Sequence, residues 1–198
     1  MPRITPVARD DIGDLEDVFS RAEKALGFVP NSFFIMARQP GMLRAFSRLS
    51  REVLGVPGKV PPPLKWMIAH VASRAAGCQY CMAHTADTAA TAAGVDPAKI
   101  EAVFEYERSD LFSEAERAVL TVAQGAGQVP NMVSDSDMDA LKKHFDEDQI
   151  VEIVGVICLF GWLNRFNDTM ATDLEQKPRA FAEAHLSGSG WTVGRHGS

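Results

Sequence analysis

Cys78, Cys81 and His84 follow one another at spacings of three within the stretch GCQYCMAHTAD, in a chain of 198 residues that holds only three cysteines. On a helix, residues three apart are surface neighbours with Cβ atoms about 5–6 Å apart, so the three side chains share one face. Two cysteines so placed fall within the Cα separation of about 4.4–6.8 Å that a disulfide requires, and the pair can cycle between dithiol and disulfide. The unpaired N–H groups and partial positive charge of a helix start favour thiolate over thiol, and an imidazole on the same face can take up the proton or stabilise the anion. A thiolate of this kind displaces the terminal oxygen of a hydroperoxide. The sulfenic acid left behind then condenses with the neighbouring thiol, and an external dithiol reduces the resulting bond by exchange.

Three other readings compete. Zinc is the first, but structural zinc sites use four ligands, usually from two separated pairs, whereas this cluster offers three on one and a half helical turns. A thioredoxin-type pair is expected beside a βαβ pattern, which the chain lacks. The third reading makes the two cysteines small buried hydrophobes. Cys158 lies in an apolar stretch without a charged neighbour and is expected in the core.

The elements that must hold this cluster are helices. No segment shows sustained apolar/polar alternation bounded by hairpin turns, while helical spacing with plausible caps recurs from end to end, so the fold class expected is all-α. A first helix fits 14–26 and ends at Gly27, and Asn31 is placed to cap a short second one. PGMLRAFSRLSREVLG forms a third, closing at Gly55, and GVPGKVPPP (55–63) interrupts the helical pattern. The apolar stripe Leu64, Met67, Ile68, Val71 and Ala75 predicts a helix stopped by Gly77, with a new helical segment from Cys78 to about Gly94. Asp96 with Pro97, and Ser113 with Glu116, mark two further helix starts; another helix is expected around 137–145, its acidic DSDMD stretch solvated.

QIVEIVGVICLFGWLNRFN (149–167) is apolar nearly all round and predicts a central buried helix. Setting Leu64 over Ile150 gives a weak internal echo in which Trp66 falls over Glu152, and Cys78 and Cys81 over Asn164 and Asn167, compatible with a duplicated helical unit. The expected organisation is a single domain over 1–198: N-terminal helices to 63, a core with the cysteine motif over 64–186, and a glycine- and serine-rich tail over 187–198 that Trp191 and Val193 could dock. His144, His185 and His196 are expected at the surface, Trp66 and Trp162 in packing roles, and Arg165 paired with Asp168.

A formal charge of −6, from 26 acidic and 20 basic residues without a basic run, argues against a nucleic-acid or anionic-membrane partner. The first residues meet acidic side chains before any apolar leader could form, and no uninterrupted apolar run approaches the ~18 residues of a membrane span. The compartment expected is the cytoplasm, where thiols stay reduced and a C-x-x-C pair is redox-active or metal-binding more often than a structural staple.

SRAAGCQYCMAHTA following LKWMIAHVA resembles the redox motif of the AhpD-like alkylhydroperoxidase branch of the carboxymuconolactone decarboxylase superfamily. LFSEAERAVL and LFGWLNRFNDTMATDLE are similar to its longer, peroxidase-related members. The resemblance implies an AhpD-like helical bundle that assembles as a homo-oligomer, trimer or hexamer. It also implies a hydroperoxide substrate, a dithiol or protein reductant, and neither a bound cofactor nor a metal. By position, Cys81 resembles the peroxidatic cysteine, Cys78 its resolving partner, and His84 the histidine just beyond. The family commonly carries a glutamate twelve residues before the first cysteine, where this chain has Trp66, and Tyr80 stands where well-known members carry a second histidine. His70 and Glu152 are the candidates to replace the missing proton carrier. A lactone-acid decarboxylase is a further reading within the same fold. A zinc-binding or redox-sensing module is the alternative outside enzymes.

Overall fold

A computed structural model describes residues 1–197, which form ten α-helices and no strand. The N-terminal layer comprises α1 (Glu16–Leu26), α2 (Asn31–Met36) and α3 (Pro40–Ser50), with α3 continuing into a π-helical turn, Arg51–Gly55. The C-terminal layer comprises α4 (Pro62–Ala75), α5 (Gln79–Thr91), α6 (Pro97–Glu101), α7 (Glu114–Ala126), α8 (Asp135–Lys142), α9 (Glu147–Met170) and α10 (Gln176–His185). The expected all-α bundle is thus the fold observed.

Helix ends follow local chemistry. Gly27 and Gly77 take the positive φ that closes α1 and α4. Asp96 caps α6, and Ser113 with Glu116, Ser134 with Asp137 and Asp146 with Gln149 form reciprocal boxes before α7, α8 and α9. Asn31 differs from expectation. It is the first residue of α2 rather than its cap, because its backbone N–H is taken by the Glu175 carboxylate and its side-chain amide donates to the Asp173 carbonyl at 2.9 Å.

Two apolar clusters form the interior. One gathers Leu15, Phe19, Met36, Leu43 and Phe46 of the N-terminal layer around Leu159 of α9. The other packs α4 and α5 against α7, α9 and α10, with Ile68, Val71, Ala83, Leu120 and Ile153 fully buried. Gly127, at the end of α7, lets α4 approach closely: a Cβ there would come within 2.8 Å of the Ala72 carbonyl oxygen. Trp66 packs edge-on against Phe160, and Trp162 stacks between Phe46 and Phe166, so both tryptophans contribute apolar area as expected.

The central helix departs from the sequence expectation. α9 is long and apolar enough to cross a bilayer by length and composition, yet it packs against α4, α5 and α7 and only 33% of its apolar window is buried. Val151, Val154 and Trp162 are exposed. Cys158, expected in the core, is exposed on the same helix, because α9 turns Ile153, Val156, Ile157 and Phe160 toward one apolar cluster and Leu159 toward the other, leaving Cys158 outside both. The α4–α5 break at Gly77 has no counterpart in α9, which runs unbroken through the positions that echo it. Arg165 is also placed otherwise than expected. It donates to the Gly161 carbonyl one turn back, while Asp168 pairs with Arg195 and His196 from the tail.

Candidate redox site

The sequence folds locally so that Cys78 is the N-cap of α5 and Cys81 the third residue of its first turn. The Cys81 N–H donates to Cys78 Sγ at 3.4 Å, the bond that an N-cap side chain normally accepts through oxygen. Both cysteines are present as free thiols and both are buried. From α9, the Asn167 amide donates to Cys81 Sγ at 3.6 Å, and Thr172 holds that amide in place by donating to its oxygen at 2.9 Å.

Sequence chemistry led to the expectation of an electropositive, low-pKa thiol at this helix start. The structure reverses that for Cys81 at rest. Burial pushes its thiol up, hydrogen bonding and charge from Cys78 push the same way, and the Asn167 bond opposes them without prevailing. Cys81 at rest is therefore held as the thiol.

The His84 imidazole is held by a residue that sequence reasoning missed. Glu175, immediately before α10, places one carboxylate oxygen 2.5 Å from His84 Nε2, while the other accepts from the Tyr80 hydroxyl at 2.8 Å and from the Asn31 N–H. The Tyr80 and His84 rings are tilted by 32° with centres 4.4 Å apart, and the Phe28 ring centre lies 5.7 Å from the imidazole. Burial alone would raise the Glu175 carboxyl. The positive charge of a protonated His84, its hydrogen bond and the Asn31 N–H outweigh that, leaving it below the ordinary carboxylate value. Glu175 is 91 positions from His84, so no local spacing could have linked them. The one local signal is an acidic residue standing immediately before a helix.

The other two candidates lie elsewhere. Glu152 accepts from the Lys59 and Val60 backbone and pairs at 2.5 Å with the buried Lys65, whose ammonium also holds the Val53 carbonyl of the π turn. It stands 15 residues before Asn167 on one helix, roughly 22 Å along the axis. Its carboxylate clamps the linker and π turn to α9 and does not reach the sulfurs. His70 is fully buried, with Nδ1 2.8 Å from Thr85 Oγ1, and Thr85 in turn donates to the Cys81 carbonyl. The imidazole stacks on Phe104, and burial holds its pKa down to about 4, with the Arg74 charge adding to the effect. It thus touches the backbone of the cysteine turn, through one hydroxyl, rather than a sulfur.

The tail closes the site. Trp191 is buried and its indole N–H donates to the carbonyl of Gln79, the residue after Cys78. His196, expected at the surface, is buried: its ring lies 5.7 Å from Tyr80, and Nδ1 donates to the Thr172 carbonyl. Trp191→Ala is expected to raise the rate of iodoacetamide alkylation at Cys78 and Cys81 by about tenfold, through easier local opening. Cys158, already exposed, serves as the internal reference in the mass spectrum. An unchanged ratio would mean that the tail does not govern access.

Among the described residues no group of three or more His, Cys, Asp and Glu side chains is arranged to hold a metal ion.

An all-helical bundle that starts one helix at a paired thiol, and holds an imidazole of that helix with a distant carboxylate, is an arrangement that can be compared with known proteins. The sequence profile of the carboxymuconolactone decarboxylase family matches residues 40–125. The debrominase Bmp8, solved as a cysteine-to-alanine variant with 2,3,4-tribromopyrrole, is 36% identical at a TM-score of 0.85, covering 92% of this chain and 96% of that one. A peroxidase-related protein with an AhpD core from Ralstonia eutropha JMP134 shares the fold at a TM-score of 0.77, with 24% identity over 91% of this chain and 95% of its own. Among curated proteins, YnjA of Escherichia coli K12, described only as uncharacterized, is 33% identical over 93 residues, or 47% of this chain; the match spans half of that relative's length. Residues 40–125 are thus similar to the carboxymuconolactone decarboxylase family, and nearly the whole chain shares the fold of Bmp8 and of the AhpD-core protein.

Proposed function

We propose that the chain is a dithiol oxidoreductase that reduces a hydroperoxide at the Cys78–Cys81 pair. The observation that carries this reading is the pairing itself: two free thiols within one helical turn, joined by the Cys81 N–H to Cys78 Sγ bond, in a chain with one other cysteine. In the proposed cycle His84, oriented by Glu175, takes the Cys81 proton as the sulfur attacks the terminal peroxide oxygen. The O–O bond breaks, the leaving alkoxide receives a proton and departs as the alcohol, and Cys81 becomes a sulfenic acid. Cys78 then displaces hydroxide from that sulfur, which leaves as water, and the disulfide closes. An external dithiol restores both thiols by exchange. Glu175 keeps the imidazole in place and compensates its charge while it holds the proton. Asn167 donates to the reacting sulfur.

A second reading has a specific observation behind it. The likeness to Bmp8 extends over nearly all of both chains. The same dithiol could deliver two electrons to a brominated heteroaromatic, exchanging a C–Br bond for C–H, releasing bromide and a proton, and closing the same disulfide.

One experiment addresses both. Intact-mass and thiol titration after an alkyl hydroperoxide, or after a bromopyrrole, is expected to show two thiols lost as a Cys78–Cys81 disulfide while Cys158 stays free. Alcohol release identifies the first oxidant class and bromide release the second. A thiol count that neither oxidant changes would remove the oxidoreductase reading.

A further inference from the structure

Between the N-terminal layer and α4–α5 lies a cavity of about 550 Å³, within the size range of small-molecule sites. Its apolar wall comes from Val18 and Leu26 of α1, Phe33 of α2, Leu54 of the π turn, Trp66 of α4 and Ala92 beyond α5. Around it stand Arg21, Arg44, Arg48 and Arg51, and no acidic side chain lines it. In a chain of net charge −6 this is a local concentration of positive charge. Three of the four are answered from outside the cavity: Arg21 and Arg44 by Asp17, Arg44 also by Asp14, and Arg51 by Glu52. Arg48 has no carboxylate partner among the described residues, and Ser47 and Ser50 on the same helix add hydroxyl groups beside it.

The wall has an irregularity that widens it. α3 ends in the π turn Arg51–Gly55, which directs Arg51, Leu54 and Gly55 to the cavity, and π segments recur at functional sites. The turn is fixed from behind by the buried Lys65, held between the Val53 carbonyl and Glu152. The buried Lys65–Glu152 pair therefore braces the lining of this cavity and not the cysteines. Thr88 and Ala92 place the cavity roughly 10–16 Å from Cys81 along the α5 direction, so it is separate from the sulfur site.

We propose that this cavity binds an amphiphilic monoanion, a single-chain carboxylate whose tail lies against the apolar wall and whose head group pairs with Arg48. One unanswered guanidinium suits one negative charge, and the planar fork of arginine matches a carboxylate in two parallel hydrogen bonds. The inference is independent of the redox reading.

The test is calorimetric titration of the full chain with dodecanoate, below its micelle concentration, against dodecyltrimethylammonium, which has the same tail and the opposite charge. One dodecanoate is expected per chain, with the cation weaker by about tenfold, although the net charge of the protein favours the cation. Arg48→Glu is expected to weaken dodecanoate by about tenfold or more, because it removes both guanidinium hydrogen bonds and sets a negative charge against the carboxylate. Ala92→Trp, at an exposed position, sets an indole ring into one end of the cavity and is expected to weaken binding without changing the thermal unfolding midpoint. Cys81→Ser is expected to bind as the parent does, so failure of the redox reading leaves this result intact. Equal binding of the cation, several ligands per chain, or parental binding by both cavity variants would overturn the proposal. So would absence of binding, including absence because a second copy of the chain occupies the cleft in solution.

Discussion

Replacing Glu175 with alanine is expected to lower both the stability of the fold and the rate at which the thiol pair is oxidised. The carboxylate is the common acceptor for the Asn31 N–H, the Tyr80 hydroxyl and His84, and these join α2, α5 and the segment before α10. Its removal leaves several part-buried donors without a partner, at about 1–3 kcal/mol each, so a loss of roughly 3 kcal/mol or more is expected in thermal or urea denaturation. The oxidation rate should fall about a hundredfold, the lower end of what an acid–base group contributes. Glu175→Gln separates the two roles. Its amide oxygen can still accept, so most of the stability should return, but it cannot compensate a charged imidazole. The rate should stay low and the pH at which thiol oxidation becomes fast should move. Parental rates and an unchanged pH profile in Glu175→Gln would reduce Glu175 to a clamp.

The depressed carboxyl also fixes a sign for stability. The folded state holds Glu175 ionised below its ordinary value near 4.5, so its contribution is complete above that pH and is lost as pH falls through the folded value.

The second large effect comes from His70. An unfolded histidine takes a proton near pH 6.5, whereas the buried ring in the folded chain does so at about 4. Between those values the unfolded state binds more protons, so stability falls as the solution is acidified from 6.5 to 4 and is unaffected by this group above 6.5. The displacement corresponds to about 3 kcal/mol at the lower end of the window. Denaturant unfolding at half-unit pH steps measures it. His70→Phe preserves the ring that stacks on Phe104 and is expected to flatten most of the slope. A remainder is expected from His196, whose pKa burial also depresses. A parental slope in His70→Phe would place the acid sensitivity elsewhere.

Much of the architecture was legible because helices are written in local terms. The glycine stops, the Asp96 cap and the serine boxes each act within one turn, and the observed helix ends lie within a few residues of where they predict. The contact between Cys78 and Cys81 at the start of one helix followed from their spacing in the same way. The pairing of His84 with Glu175 was not legible. His70 and Glu152 were the nearest chemical substitutes for a missing glutamate, and each has a partner on another helix, Thr85 and Lys65, that engages it away from the sulfurs.

What the chain alone determined is therefore what neighbours in sequence can settle: an all-helical fold, where helices begin and end, and which face carries the thiols, because backbone hydrogen bonding and capping reach only three or four residues. Tertiary packing decided which groups are desolvated and which distant charges meet. It buried His196 and left Cys158 exposed, raised the Cys81 thiol, and brought Glu175 across 91 residues to His84. Burial and charge pairing act through space, and only the folded chain fixes those distances.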